Sequence, residues 1–158
     1  MTSGSRGWAG EGRPPEHPAH LTRLRVRYGE TDRMGVVYHA NYIVYFEVGR
    51  TELIRSLGAT YAALEEGGLR LVVTETGMRL RAPARYDDEL RIETRITAVE
   101  RVRLRFDYRV LLEGEERLIA TGHTVLASVD EAGRPRRLDG ALRSALAAFL
   151  DPRGPSDA

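Results

Sequence analysis

The chain contains no cysteine and no lysine. Without cysteine there is no disulfide framework, no thiol nucleophile and no cysteine-ligated metal. Without lysine there is no Schiff-base or amine-nucleophile chemistry; all 24 basic residues are arginines. An excess of one charge is lacking too. The 24 basic and 23 acidic residues leave a net charge of +1. That balance makes no case for a nucleic-acid partner, and no basic block suggests an anionic membrane surface. No apolar run approaches the ~20 residues of a membrane-spanning helix. The first 20 residues, "MTSGSRGWAGEGRPPEHPAH", lack the continuous apolar core of a signal peptide. The expected compartment is therefore the cytoplasm.

What is present suits one globular domain. The chain has 158 residues, 42% hydrophobic and 30% charged, enough to bury a core. The Gly- and Pro-rich residues 1–20 read as a disordered tail, and "DPRGPSDA" at 151–158 reads the same way. Residues 21–150 are the expected domain.

Hydrophobic period divides that domain into elements. "LTRLRVRY" alternates as a half-buried strand, with Thr22, Leu24, Val26 and Tyr28 on one face. Gly29 to Gly35 reads as a loop. From Asn41 to Leu57 the spacing turns helical, through Tyr42, Phe46, Leu53 and Leu57, and Gly58 is a natural stop. The apolar stripe is wide, so the helix is expected to be largely buried. Gly49 inside it costs about 1 kcal/mol against alanine, which predicts close approach of another backbone. A short helix fits Tyr61–Glu66. Four strands follow, in "RLVVTETGMRLR", "ELRIETRITA", "VRLRFDYRVL" and "RLIATGHTVLASV". In the first, Val72, Thr74, Thr76, Met78 and Leu80 are expected on one face. "GEE" at 114–116 marks a hairpin turn. Asp139 is placed to cap a last helix running through Leu150. One apolar helix followed by successive strands predicts an α+β domain with an antiparallel sheet packed on the helix.

The chemistry concentrates between Tyr28 and Glu47. Asp32 lies in a polar, glycine-bounded loop. Ionised, it could serve as nucleophile or as general base on water. Local pattern alone favours the plainer reading, that it shapes the turn by accepting backbone N–H groups. His39, seven residues on, could exchange protons or simply pack at the helix entrance. The backbone there is of separate interest, because the first N–H groups of a helix lack intrahelical partners and suit an oxygen that gains negative charge. Other candidates rank lower. Glu47 and Arg50 are spaced to pair on the helix. The arginine stripe at 101–109, or Arg85, could hold phosphates, although Asp107 and Glu93 offer partners for the stripe. His123, on a strand, reads as packed. No His and carboxylate spacing resembles a metal site.

At this point the chain resembles a known family. "RYGETDRMGVVYHANYIVYFEVGRTELIRSLG" looks like the signature of the 4-hydroxybenzoyl-CoA thioesterase family, and within it the acyl-CoA thioesterases associated with bacterial Tol-Pal operons. "APARYDDEL" resembles the family's "PAR-x-DD-x-L" segment through Pro83, Ala84, Arg85, Asp87, Asp88 and Leu90. The resemblance implies a hotdog fold, a long helix wrapped by an antiparallel sheet. It implies a homodimer or homotetramer with sites at subunit interfaces. Asp32 matches the family's catalytic aspartate, and His39 the position whose backbone N–H polarises the thioester carbonyl. Gly35, Val36, Tyr38, Asn41 and Tyr42 fall around the substrate. The implied activity is hydrolysis of acyl-CoA to free acid and coenzyme A, with no metal or redox cofactor. A thioesterase acting on acyl carrier protein, and a non-catalytic acyl-CoA-binding protein, remain open on sequence.

Overall fold

Strand and helix boundaries follow the hydrophobic period closely. The computed structural model describes residues 19–59, 61–138 and 140–155. The elements are β1 (His20–Arg25), α1 (Asn41–Ser56), α2 (Tyr61–Glu66), β2 (Arg70–Leu80), β3 (Glu89–Val99), β4 (Arg103–Leu112), β5 (Arg117–Val129) and α3 (Gly140–Ala148). A single 3-10 turn, Tyr28–Glu30, leads out of β1. Asp139, expected as the cap of α3, and the tail before residue 19 lie outside the described residues.

The five strands form one antiparallel sheet in the order β1-β3-β4-β5-β2. β3, β4 and β5 are joined by tight connections and pair in sequence. β2 breaks that pattern. It pairs only with β5, at the far edge, and the segment 81–88 carries the chain back across to β3 beside β1.

The helix lies across the inner face of the sheet. Its inward residues, Tyr42, Tyr45, Phe46, Leu53 and Ile54, meet Leu90, Ile92, Ile96, Leu104, Phe106, Tyr108 and Leu126 in a continuous buried core. The crossing needs small residues. A Cβ on Gly49 would clash with Thr94 Oγ1 and Ile92 Cγ2, and one on Gly122 would clash with the ring of Phe46. The close approach expected at Gly49 is therefore to side chains of β3 rather than to a backbone. Phe46, seated on Gly122, stacks on Tyr108 with ring centroids 4.5 Å apart and planes 9° from parallel.

Two features depart from the sequence expectations. A bulge between Val73 and Glu75 puts Val72 opposite Ala127, while Thr76, Met78 and Leu80 face Thr124, Gly122 and Ala120. Val72 thus leaves the face it was expected to share, because an extra residue reverses the parity of the strand. The second concerns residues 151–155, expected as tail. Leu150 forms a parallel bridge with Ile96, and the Asp151 N–H donates to the Ile96 carbonyl at 2.8 Å. This contact lies beyond Thr94, the last residue of β3 that β1 pairs. Asp151, only 3% exposed, accepts from Arg153 and from the buried Arg95.

Candidate active site

The loop carrying Asp32 is a small hairpin. Thr31 and Val37 form an antiparallel bridge, and the Asp32 N–H donates to the Val36 carbonyl at 2.8 Å. The Gly35 N–H returns to the Asp32 carbonyl at 2.9 Å. Gly35 sits at φ +79°, a left-handed conformation that a side chain disfavours. Here glycine answers the turn itself; a Cβ would meet Arg85 Nη1 at an ordinary 3.9 Å. On its other side the hairpin docks on segment 81–88: Val36 bridges Arg85, and the Val37 N–H donates to the Ala84 carbonyl at 2.8 Å.

Asp32 shapes its own turn, one of the two readings its pattern allowed. Its Oδ1 accepts the Met34 N–H at 2.8 Å and, more weakly, the Val36 N–H at 3.4 Å. Its Oδ2 has no partner among the described residues. One oxygen therefore fixes the side chain while the other is uncommitted among the described residues.

The start of α1 follows directly. The Asn41 N–H donates to Tyr38, the Tyr42 N–H to His39 and the Ile43 N–H to Ala40, all short-range turn bonds. Ala40, at the N-cap, offers no side-chain cap. Among the described residues the His39 and Ala40 N–H groups meet no acceptor. These unpaired donors, at the positive end of a 16-residue helix, suit a developing oxyanion. The His39 ring is exposed and leans on Tyr38, with centroids 4.5 Å apart.

The remaining expected site residues divide. Val36 and half-exposed Tyr38 lie on the loop beside Asp32. Asn41 is turned inward on the site: its Nδ2 donates to the Glu30 carbonyl at 2.7 Å. Tyr42 is only 2% exposed, edge-on to Tyr45 in the core, and burial pushes its hydroxyl up to about 12. The lower-ranked candidates also resolve. Arg50 turns inward and donates to the Tyr108 hydroxyl at 3.3 Å, while Glu47 faces solvent. Arg105 pairs with Asp107 and Arg109 with Glu93, so much of the arginine stripe is neutralised. The His123 ring covers Gly77, with Nε2 2.7 Å from Glu75 Oε1.

One residue gained a role that pattern reading did not give it. Glu30 accepts the Arg27 N–H at 3.0 Å and Arg27 Nε at 2.8 Å. Partial burial alone would raise its carboxyl. The Arg27 guanidinium, the nearby Tyr45 hydroxyl and the Arg27 N–H outweigh this and hold it below the ordinary carboxylate range. The Tyr45 hydroxyl is itself buried without a bond of full hydrogen-bond geometry, so its effect is that of a close dipole. Burial and the adjacent Glu30 raise that hydroxyl strongly. The signal for Glu30 was its spacing of three from Arg27, the interval of a capping box.

The chain is similar to known thioesterases in sequence and fold. The thioesterase-like superfamily model matches residues 26–149. The acyl-CoA thioester hydrolase YbgC of Escherichia coli is 36% identical over 116 residues, 73% of this chain and 86% of YbgC. YneP of Bacillus subtilis is 44% identical over 71 residues, 45% of this chain and 51% of YneP, so that match spans about half of its length. The solved DHNA-CoA thioesterase from Staphylococcus aureus superposes with a TM-score of 0.72 at 34% identity, over 75% of this chain and 80% of that one. The fold is the hotdog fold, a helix wrapped by an antiparallel sheet. The chain belongs to the thioesterase-like superfamily, and it is a thioester hydrolase.

Proposed function

We propose that the protein hydrolyses acyl-CoA thioesters, releasing the free acid and coenzyme A. In this reading the thioester carbonyl oxygen lies against the free N–H groups of His39 and Ala40. Asp32 Oδ2 attacks the carbonyl carbon, or takes the proton of the water that does. Addition moves charge onto the carbonyl oxygen, where the helix N-terminus stabilises it. Collapse of the tetrahedral species expels the thiolate. If Asp32 is the nucleophile, water then cleaves the resulting anhydride and restores the carboxylate. The observation that carries the reading is the pairing of a carboxylate with one uncommitted oxygen and two unpaired N–H groups at the adjoining helix start.

The working unit we propose is a homodimer or homotetramer. β2 is an edge strand, and Val72, Val73 and Leu80 on it are about half exposed. Ile43 and Val44 on α1 are exposed as well. A long edge with apolar side chains favours pairing with a second copy. No described helix is long and apolar enough to cross a membrane.

The test is thiol release from short-chain, long-chain and aromatic acyl-CoAs, with acyl-carrier-protein thioesters run alongside. Turnover is expected on at least one acyl-CoA class, faster than on the matching carrier thioester. A folded protein inert on every thioester would contradict the reading, and preference for the carrier would reassign its substrate.

A further inference from the structure

The acid and the oxyanion donors sit on different pieces of chain. Asp32 belongs to the hairpin at 31–37, while the free N–H groups belong to residues 39 and 40. Something must fix the distance between them. The Glu30 carbonyl accepts two donors, the Tyr38 N–H at 2.9 Å and Asn41 Nδ2 at 2.7 Å. The first closes the hairpin. The second reaches from the first residue of α1 back across the site. Asn41 is the only asparagine in a chain that has no glutamine, so this is its one carboxamide. Glu30 is gripped in turn: its carboxylate, with the side chain 12% exposed, accepts from the Arg27 backbone and guanidinium and lies beside the buried Tyr45 hydroxyl of α1.

We infer that Asn41 and Glu30 form a clamp that sets the separation of Asp32 from the helix N–H groups, making both positioning residues for thioester hydrolysis. The inference rests on the proposed roles of Asp32 and the helix start. Its physical basis is the difference between two sensitivities. One hydrogen bond in a half-exposed loop matters little to the fold, whereas a misplacement of about 1 Å at a reacting centre can cost on the order of 10²-fold in rate. A carboxamide suits the position because it donates without adding charge next to the acid.

The experiment is steady-state kinetics on the best acyl-CoA substrate, with thermal unfolding of each variant. Asn41→Ala should lower kcat about 10- to 100-fold with KM and Tm nearly unchanged. Asn41→Asp keeps the shape and suits the helix start, yet lacks the donor, so it should behave alike and covers the case in which Asn41→Ala folds poorly. Glu30→Ala should lower kcat, and Glu30→Gln, which retains an acceptor for Arg27, should restore most of it. Wild-type kcat in both Asn41 variants would overturn the clamp. So would a rise in KM at unchanged kcat, which would make Asn41 a binding group, or a kcat loss matched by loss of folded protein in both. Asp32→Asn run in parallel separates the failures: inactive Asp32→Asn with active Asn41 variants removes the clamp alone, while active Asp32→Asn removes the underlying reading as well.

Discussion

Asp32 commits one carboxylate oxygen to its own loop and leaves the other without a partner among the described residues. Local pattern favoured a turn residue over a catalyst, and the two are compatible: Oδ1 holds the loop, and the proposed catalysis needs only the unpartnered Oδ2. The His39 position separates ring from backbone in the same way. If the N–H is the working group, His39→Ala should cost far less activity than His39→Pro, which deletes the donor. The proline variant is expected to lose about 10²–10³-fold in kcat, the usual effect of removing one oxyanion donor. Equal losses in the two variants, measured as thiol release, would return the role to the imidazole. Gly35→Ala places a side chain at φ +79°. It should lower stability by about 1–2 kcal/mol in chemical denaturation and distort the hairpin that presents Asp32.

At the scale of elements, the sequence told most of the story where one period ran unbroken. α1, α2 and β2 to β5 lie close to where they were expected, while β1 stops at Arg25 and Tyr28, expected to end that strand, starts a 3-10 turn. It failed at β2, because a single bulge residue reverses the facing of everything before it and leaves no mark in composition. Gly49 was legible as an anomaly but not as a contact, since its neighbours Ile92 and Thr94 lie far away in sequence. Glu30 was visible only as a member of the motif, because its bonds run to Arg27, Tyr38 and Asn41 through the folded loop. The Gly49 contact gives a prediction opposite to helix propensity. Alanine is the better helix former by about 1 kcal/mol, yet Gly49→Ala should destabilise the protein by about 1–3 kcal/mol through overpacking against β3. A raised Tm in that variant would contradict the observed crossing.

On the scale of the whole molecule, residues 150 and 151 bind the edge of β3 at Ile96. Asp151 is buried between Arg153 and Arg95, and although burial alone would raise its carboxyl, the two guanidiniums and the Arg153 N–H hold it below the ordinary range. A carboxyl lowered on folding contributes stability above its unfolded value, near 3.9, and that contribution is lost as pH falls through the lower folded value. The wild type should therefore lose stability below about pH 4 more steeply than Asp151→Asn, which should already be about 3 kcal/mol less stable at neutral pH. Parallel acid-unfolding curves for the two proteins would contradict this. Composition could not reveal the role of Asp151, because it arises only where β1 stops short of the end of β3.

The central claim is that Asp32 performs the hydrolysis from beside the helix start. The most direct measurement is kcat/KM for thiol release by Asp32→Asn, on the best acyl-CoA, with folding verified by unchanged thermal unfolding. Asparagine keeps the Oδ1 acceptor and removes the reactive carboxylate. A fall of about 10²–10⁴-fold is the expected result. Wild-type turnover by the folded variant would contradict the account.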